Sequence, residues 1–265
     1  MESVTVIIPT FRPGKYLFEC LDSLENQTLE KTRYNVFIVL NGDKEPYFST
    51  IEECIARLKC KIELVYTDCK GVSNARNIAI DRASGKFVAF IDDDDYVSPQ
   101  YLEKLLECAD SSSADAIICS NVVTFDENYN LGTDYISEAY NRALASPEKN
   151  SLFARRKFLS SSCCKLIPLS VIGSRRFNTA IKRGEDSLFM ASISDKITGI
   201  VPASLEAIYY RRLRIGSASR SEESKYSRLT RKARLIASYM KVYISGVSGY
   251  NPILFLTRIL ATIRN

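Results

Sequence analysis

Four consecutive aspartates, Asp92-Asp93-Asp94-Asp95, follow directly on the apolar run KFVAFI of residues 86–91. Carboxylates this close raise one another's pKa unless a cation or strong donors compensate, and a divalent metal is the natural compensator. The chain has no histidine and no CxxC pair among its eight cysteines, so the oxygen ligands point to Mg or Mn rather than zinc. The plain alternative is a solvated acidic turn. Position counts against it, because ligands of an open parallel sheet bind beyond the carboxyl ends of its strands. The same edge collects complementary groups: Pro9, Thr10 and Arg12 where the first strand ends, Asn41 where the second ends, and Gly71 to Asn77 (GVSNARN) opening a helix. Free amides at that helix start, with Arg76, are suited to an anion. Singly, a Thr in a turn is a cap, an Arg a solvated surface residue and a Gly only a turn. Together, acidic groups for a metal, basic groups for phosphates and an Asn for a base edge describe a nucleotide diphosphate site.

Without histidine, imidazole is excluded as base, nucleophile partner or metal ligand, and with it the serine and cysteine triads. Any general base must be Asp, Glu, Lys, Tyr or Cys. On their residues alone, Glu185 and Asp186 in the segment RRFNTAIKRGEDSLF read first as acidic groups placed favourably at a helix N-terminus.

The elements that must position these groups follow from hydrophobic patterning. With 265 residues, 46% of them apolar and 25% charged, the chain is an ordinary globular protein of one large or two small domains. Val4 to Pro9 reads as a strand buried on both faces, and Tyr16, Leu17, Cys20, Leu21 and Leu24 recur at helical spacing. Strands over 35–40, 61–66 and 86–91 alternate with helices over Pro46 to Leu58, Val72 to Ala83 and Gln100 to Ala109, and 114–124 returns to a strand-like run. This alternation predicts an α/β fold with a mainly parallel sheet flanked by helices. The polar stretch Asp126 to Asn150 reads as a mobile region lining a site or an interface. Less regular elements follow: an apolar piece over Lys165 to Ile172, a helix over Glu185 to Ile193 and a strand near Glu206 to Arg211.

Three blocks, VTVIIPTFR, GVSNARNIAIDRASGKFVAFIDDDDYVSPQYLEKL and RRFNTAIKRGEDSLF, resemble the glycosyltransferases of family 2, over roughly residues 3 to 215. The resemblance implies a GT-A fold, with the nucleotide-sugar donor over the carboxyl edge of the first four strands. It implies that Asp92 and Asp94 form the DXD motif, with Asp94 the direct ligand of Mn or Mg and Asp93 or Asp95 positioning ribose or sugar. It implies further that Asp186 is the catalytic base, that Glu185 shapes the acceptor side and that Lys165 touches phosphate. Many family members end the second strand with two aspartates and Gly-Ser, where an acidic side chain recognises uracil; this chain has Leu40-Asn41-Gly42-Asp43. UDP remains the expected nucleotide. The implied reaction is inverting transfer of a sugar to a saccharide or lipid-linked saccharide. A catalytically silent nucleotide-sugar-binding scaffold and a nucleotidyltransferase are the alternatives.

Charge divides the chain. The formal net charge is +5, yet residues 220–265 carry nine Lys and Arg against two Glu, a net of +7, leaving about −2 for residues 1–219. The expected organisation is therefore a catalytic domain over 1–219, with a donor half (1–124) and an acceptor half (125–219), and a basic helical extension over 220–265. In that extension Leu229, Ala233, Ile236, Ala237, Met240 and Ile244 share one helical face among Lys and Arg. Such a helix either docks on the domain by its apolar stripe or lies on an anionic membrane. No nucleic-acid module accompanies the charges. The chain enters its first strand without a classical signal and has no apolar stretch of about 18 residues. With scattered cysteines, this predicts a cytoplasmic protein, peripheral on the inner face of the membrane if the extension binds there.

Overall fold

The computed structural model describes residues 3–214 and 224–264. The boundary expected at 219/220 lies outside the described residues. The first half alternates as its patterning predicts: β1 (Val4–Thr10), α1 (Lys15–Glu25), β2 (Tyr34–Asn41), α2 (Tyr47–Ile55), β3 (Lys61–Thr67), α3 (Val72–Ile80) and β4 (Phe87–Phe90). Then come β5 (Tyr96–Val97), α4 (Tyr101–Asp110), β6 (Ala116–Cys119), β7 (Asn121–Phe125), β8 (Leu131–Gly132), α5 (Tyr135–Ala145), β9 (Lys165–Pro168), α6 (Leu169–Ile172), α7 (Glu185–Ser192), β10 (Gly199–Pro202) and β11 (Ile208–Arg212). Two further helices, α8 (Lys225–Ser245) and α9 (Pro252–Arg264), follow.

Seven strands form one sheet in the order β10-β6-β9-β4-β1-β2-β3, in which β9 alone is antiparallel to its neighbours. β1, β2 and β4 are buried at every position, which is why they read as unbroken apolar runs rather than alternating ones. β3, at the edge, is half-exposed. The register Thr10↔Leu40 brings the carboxyl ends of β1 and β2 together. Beside them the chain leaves β4 into the aspartate run, and antiparallel β9 begins at the same edge. A small second sheet, β5-β11-β7-β8, continues from the aspartates.

Two sequence expectations change. The run over 114–124 is two strands in two sheets, parting at Ser120, whose N–H and hydroxyl both donate to the Cys164 carbonyl (3.0 and 3.1 Å). The stretch Asp126 to Asn150 is no unstructured lining, for it contains α5. Asp134 starts that helix by accepting from the amides of Ile136 and Ser137, while Ser137 Oγ accepts from the Asp134 amide. Ile136, Ala139, Tyr140 and Ala143 then bury one face. Eleven residues sufficed for one apolar stripe, which the polar flanks disguised.

The C-terminal helices form an antiparallel hairpin, closed where Lys232 Nζ donates to the Ile263 carbonyl (2.9 Å). The hairpin docks on α7 through Leu235, Tyr239, Tyr250 and Phe255, which join Ile181, Leu188 and Ala191 in a second hydrophobic cluster. Tyr250 OH donates to the Ser192 carbonyl (2.7 Å), and the hydroxyls of Ser187 and Tyr239 lie 2.6 Å apart. The expected stripe is thus not the docked one: Leu229, Ala233, Ala237, Met240 and Ile244 are exposed and Ile236 is half-buried. Docking uses the opposite face because its tyrosines combine ring area with a hydroxyl that finds a partner.

Candidate active site

Each of the four aspartates has a different partner. Asp92 accepts from Arg76 Nη2 (2.9 Å), Asp93 from the Thr10 hydroxyl, and Asp94 pairs with Arg214 Nη2 (2.5 Å). Asp95 accepts from the Arg212 amide (2.8 Å). Burial, then the charges of Asp94 and Asp92 against the Thr10 hydrogen bond, pushes the Asp93 carboxyl up to about 6. Burial followed by the Asp92 charge raises Asp94 as well, and Arg214 opposes the rise. Asp95 is only 4% exposed, and its carboxyl is raised well above the ordinary carboxylate range, chiefly by burial. It is a structural carboxyl that fastens β11 to the site edge. The expectation that it positions ribose or sugar does not hold, because its side chain is enclosed.

Arg76, 2% exposed, is the hub of the arrangement. Its Nη1 lies 2.5 Å from Asp186 Oδ1 and 3.8 Å from Glu185, while its Nη2 holds Asp92. The guanidinium also sits 5.3 Å from the Phe177 ring centroid and 5.9 Å from that of Phe90. Burial favours loss of its proton, but the charges of Asp186 and Asp92 outweigh that and hold its pKa above the ordinary arginine value. Expected to meet a ligand anion, Arg76 instead spends itself on protein carboxylates. It ties Asp186, the candidate base, to the first aspartate of the run across the sheet edge.

Asp186 lies in the first turn of α7 and also accepts from Ser162 Oγ (3.1 Å) and from the Ser162 amide (3.4 Å). Its side chain keeps 21% exposure, so an acceptor hydroxyl has access. Gly184 turns the chain into α7 with φ +86°, where a Cβ would come 2.6 Å from Leu235 Cδ2. Beside it Glu185 is pushed up to about 7, first by burial and then by the Asp186 charge, with Arg76 pulling the other way.

Three other expected donor residues serve the backbone. Asn41, 3% exposed, donates to the Thr10 carbonyl (2.7 Å) and accepts from the Gly71 amide (2.9 Å). It locks β1, β2 and the α3 entrance together, and both ends of its amide are used, which corrects the expectation that it meets a base edge. Gly71 (φ +135°) thereby places its N–H on Asn41 rather than on a ligand. Lys165 is 1% exposed and its Nζ donates to the carbonyls of Ser161 and Cys163 (2.6 Å each). The enclosed ammonium corrects the phosphate role implied for it. Pro9 is buried within β1 opposite Val39.

The open rim carries groups that the motif reading missed. Asp43 joins Arg12 (2.6 Å) and Lys70 (3.4 Å), and its carboxyl is lowered mainly by the Arg12 hydrogen bond. Phe11 is 45% exposed, with the cations of Arg12 and Lys70 5.3 and 5.5 Å from its ring centroid. The signal for Asp43 was its place two residues past the end of β2, in the same turn as Asn41.

A divalent cation fits this site on narrow terms. Among the described residues no three side chains of metal-binding type converge. Asp94, with the Asp92 charge nearby, already holds a cationic guanidinium, and its side chain keeps 17% exposure. One or two carboxylates completed by substrate phosphates and water is a coordination that Mg and Mn accept.

Residues 5–173 match the family model "Glycosyl transferase family 2". The chain belongs to that family. It is 27% identical over 183 residues to the putative glycosyltransferase EpsH of Bacillus subtilis, covering 69% of this chain and 52% of EpsH. It is 30% identical over 118 residues to the poly(ribitol-phosphate) beta-N-acetylglucosaminyltransferase TarS of Staphylococcus aureus, covering 44% of this chain and 21% of TarS. The chain thus spans about half the length of EpsH and a smaller share of TarS. The crystal structure of TarS residues 1–349 in complex with UDP-GlcNAc aligns with a TM-score of 0.76 at 20% identity, over 98% of this chain and 72% of that one. The mannosyltransferase PcManGT of Pyrobaculum calidifontis, in complex with GDP-Man and Mn2+, aligns with a TM-score of 0.64 at 16% identity, over 98% and 68% of the two chains. These alignments bear out the mixed, mainly parallel sheet flanked by helices.

Proposed function

We propose that this family member transfers a sugar from a UDP-sugar to the hydroxyl of a saccharide or lipid-linked saccharide, with inversion at the anomeric carbon. The observation that carries the reading is the shared Arg76, which draws Asp186 and the DXD run into one cluster from distant parts of the chain. The nucleobase would stack on Phe11, with Asp43 accepting from the uracil imide, a role that Asn41 has given up. Asp94, with Asp92, would hold Mn or Mg, which when bound supplies positive charge to the departing diphosphate. Arg214, released from Asp94, would then lie free to reach the same phosphates. Asp186 takes the proton of the acceptor hydroxyl as that oxygen bonds to the anomeric carbon and the bond to UDP breaks. A general base of this kind contributes about 10²–10⁴ in rate. Arg76 holds the Asp186 carboxylate in position for that step, and Glu185 faces the acceptor. The eight free cysteines support a reducing, cytoplasmic setting.

The test is calorimetric titration with UDP, GDP and CDP, with Mn and with EDTA, on the wild type, Asp94→Ala and Asp186→Asn. UDP should bind with Mn, lose that binding in Asp94→Ala and keep it in Asp186→Asn. Transfer from a panel of UDP-sugars should then fail in Asp186→Asn. Normal turnover by Asp186→Asn would remove the base assignment. Failure of all three nucleotides to bind would overturn the donor-site reading, nucleotide binding without transfer from any UDP-sugar would favour the scaffold reading, and pyrophosphate release from a nucleoside triphosphate would favour a nucleotidyltransferase.

A further inference from the structure

α8 has two apolar faces, and only one of them is covered. Leu235, Tyr239 and Val242 pack toward α7, whereas Leu229, Met240 and Ile244 point away from it. Leu235 and Ile244 are nine residues apart, about two and a half helical turns, so their side chains leave opposite sides of the helix. α9 repeats the arrangement. Phe255 is buried on the α7 side, while Leu256, Leu260 and Ile263 recur at four- and three-residue spacing on the outside. These six outer side chains are 43–67% exposed. Because both helices lie against α7, their uncovered stripes share the outer side of one layer.

Charge says what covers that side. Residues 224–264 contain eight Lys and Arg and no Asp or Glu. Arg234 and Lys241, both exposed, project beside the α8 stripe. A second copy docking through the same face would set two wholly basic helix pairs against each other with no carboxylate from either pair to answer them. An anionic lipid surface answers both features, with headgroups for the cations and the acyl boundary for the aliphatic stripe. Among the described residues no helix is long and apolar enough to cross a membrane, which leaves the in-plane mode. We propose that the outer face of the α8–α9 layer lies flat on an anionic bilayer, burying Leu229, Met240, Ile244, Leu256, Leu260 and Ile263 at the headgroup boundary. The proposal goes beyond the transferase reading and stands without it.

The test is flotation of the full chain with vesicles of phosphatidylcholine alone and of phosphatidylcholine mixed with phosphatidylglycerol. Wild type should float with the anionic vesicles and not the neutral ones, and high salt should release it. The triple variant Met240→Ser, Ile244→Ser, Leu256→Ser should bind about ten-fold more weakly or worse, while its circular dichroism stays that of the wild type. The chain has no tryptophan, so Leu256→Trp gives a single reporter whose emission should shift to the blue with anionic vesicles only. The proposal is overturned if wild type stays behind with anionic vesicles, if the triple variant floats as well as wild type, or if the Trp emission does not move. It is overturned equally if light scattering shows a dimer that the triple variant dissolves and neither protein binds vesicles. Nucleotide titration of the same samples reads the donor site separately.

Discussion

Replacing Glu185 by Gln should make the protein more stable above neutrality, and the size of the gain follows from the cluster around Arg76. Glu185 is 16% exposed, lies beside Asp186 and has only a 3.8 Å contact with Arg76 to offset that charge, so its carboxyl is raised from 4.5 to about 7. A raised acid acts against folding as pH rises. Between 4.5 and 7 the folded protein keeps a proton that the unfolded chain has released, so stability falls by about 1.4 kcal/mol per pH unit. Over that window the loss is about 3 kcal/mol, complete above pH 7 and absent below 4.5. Gln keeps the shape and does not titrate. Urea unfolding of wild type and Glu185→Gln at a series of pH values should give curves that coincide near pH 4.5. By pH 8 they should stand about 3 kcal/mol apart in favour of the variant, or about 6–12 °C in Tm for a chain of this size. Asp93, raised to about 6, adds a slope of the same sign to both proteins and cancels in the difference. Parallel curves, or a variant less stable at pH 8, would refute the electrostatic account of this pair.

Arg214→Gln should tighten Mn2+ binding in the absence of nucleotide, measured by the loss of the free Mn2+ electron paramagnetic resonance signal, because it removes the guanidinium that occupies Asp94; weaker binding would show that Arg214 assists the metal instead. Lys165→Met should cost about 2–4 kcal/mol of stability by leaving the Ser161 and Cys163 carbonyls without their donor, yet leave UDP affinity unchanged. A specific loss of UDP binding would restore the phosphate role. Gly184→Ala should cost about 1–3 kcal/mol in urea unfolding, since it puts a Cβ at positive φ and against Leu235; a neutral outcome would mean that the turn into α7 relaxes freely.

The fold was legible where burial on both faces leaves an unbroken apolar run, as in β1, β2 and β4, and those strands alone put the aspartates at a crevice. α5 escaped notice because its single stripe sits between polar flanks. The strand break at Ser120 was equally hidden, since its partner is the carbonyl of Cys164, 44 residues away. For the site, residue type and position gave the neighbourhood but not the roles. Asp92 and Asp95 look alike in the sequence; one meets Arg76 and the other the amide of Arg212, contacts that only the folded chain creates. Asn41 and Lys165 were misassigned for the same reason, as short polar side chains and buried cations are satisfied by backbone atoms no motif names. In α8 the helical wheel picked the more aliphatic of two apolar faces, and the tyrosines won the docking.

Gly184 leaves a consequence for how the molecule is divided. The glycine that turns the chain into α7 has its open side filled by Leu235 of α8, and the next two residues are Glu185 and Asp186. A shortened chain ending before α8 would lose that filler and bare Ile181, Leu188 and Ala191 on the underside of the same turn. The helices that charge alone would set apart as an appendage are therefore the bearing on which the turn carrying Glu185 and Asp186 rests. A load that tilts α8 reaches the turn that carries Asp186 through Leu235 beside Gly184 and through the paired hydroxyls of Ser187 and Tyr239.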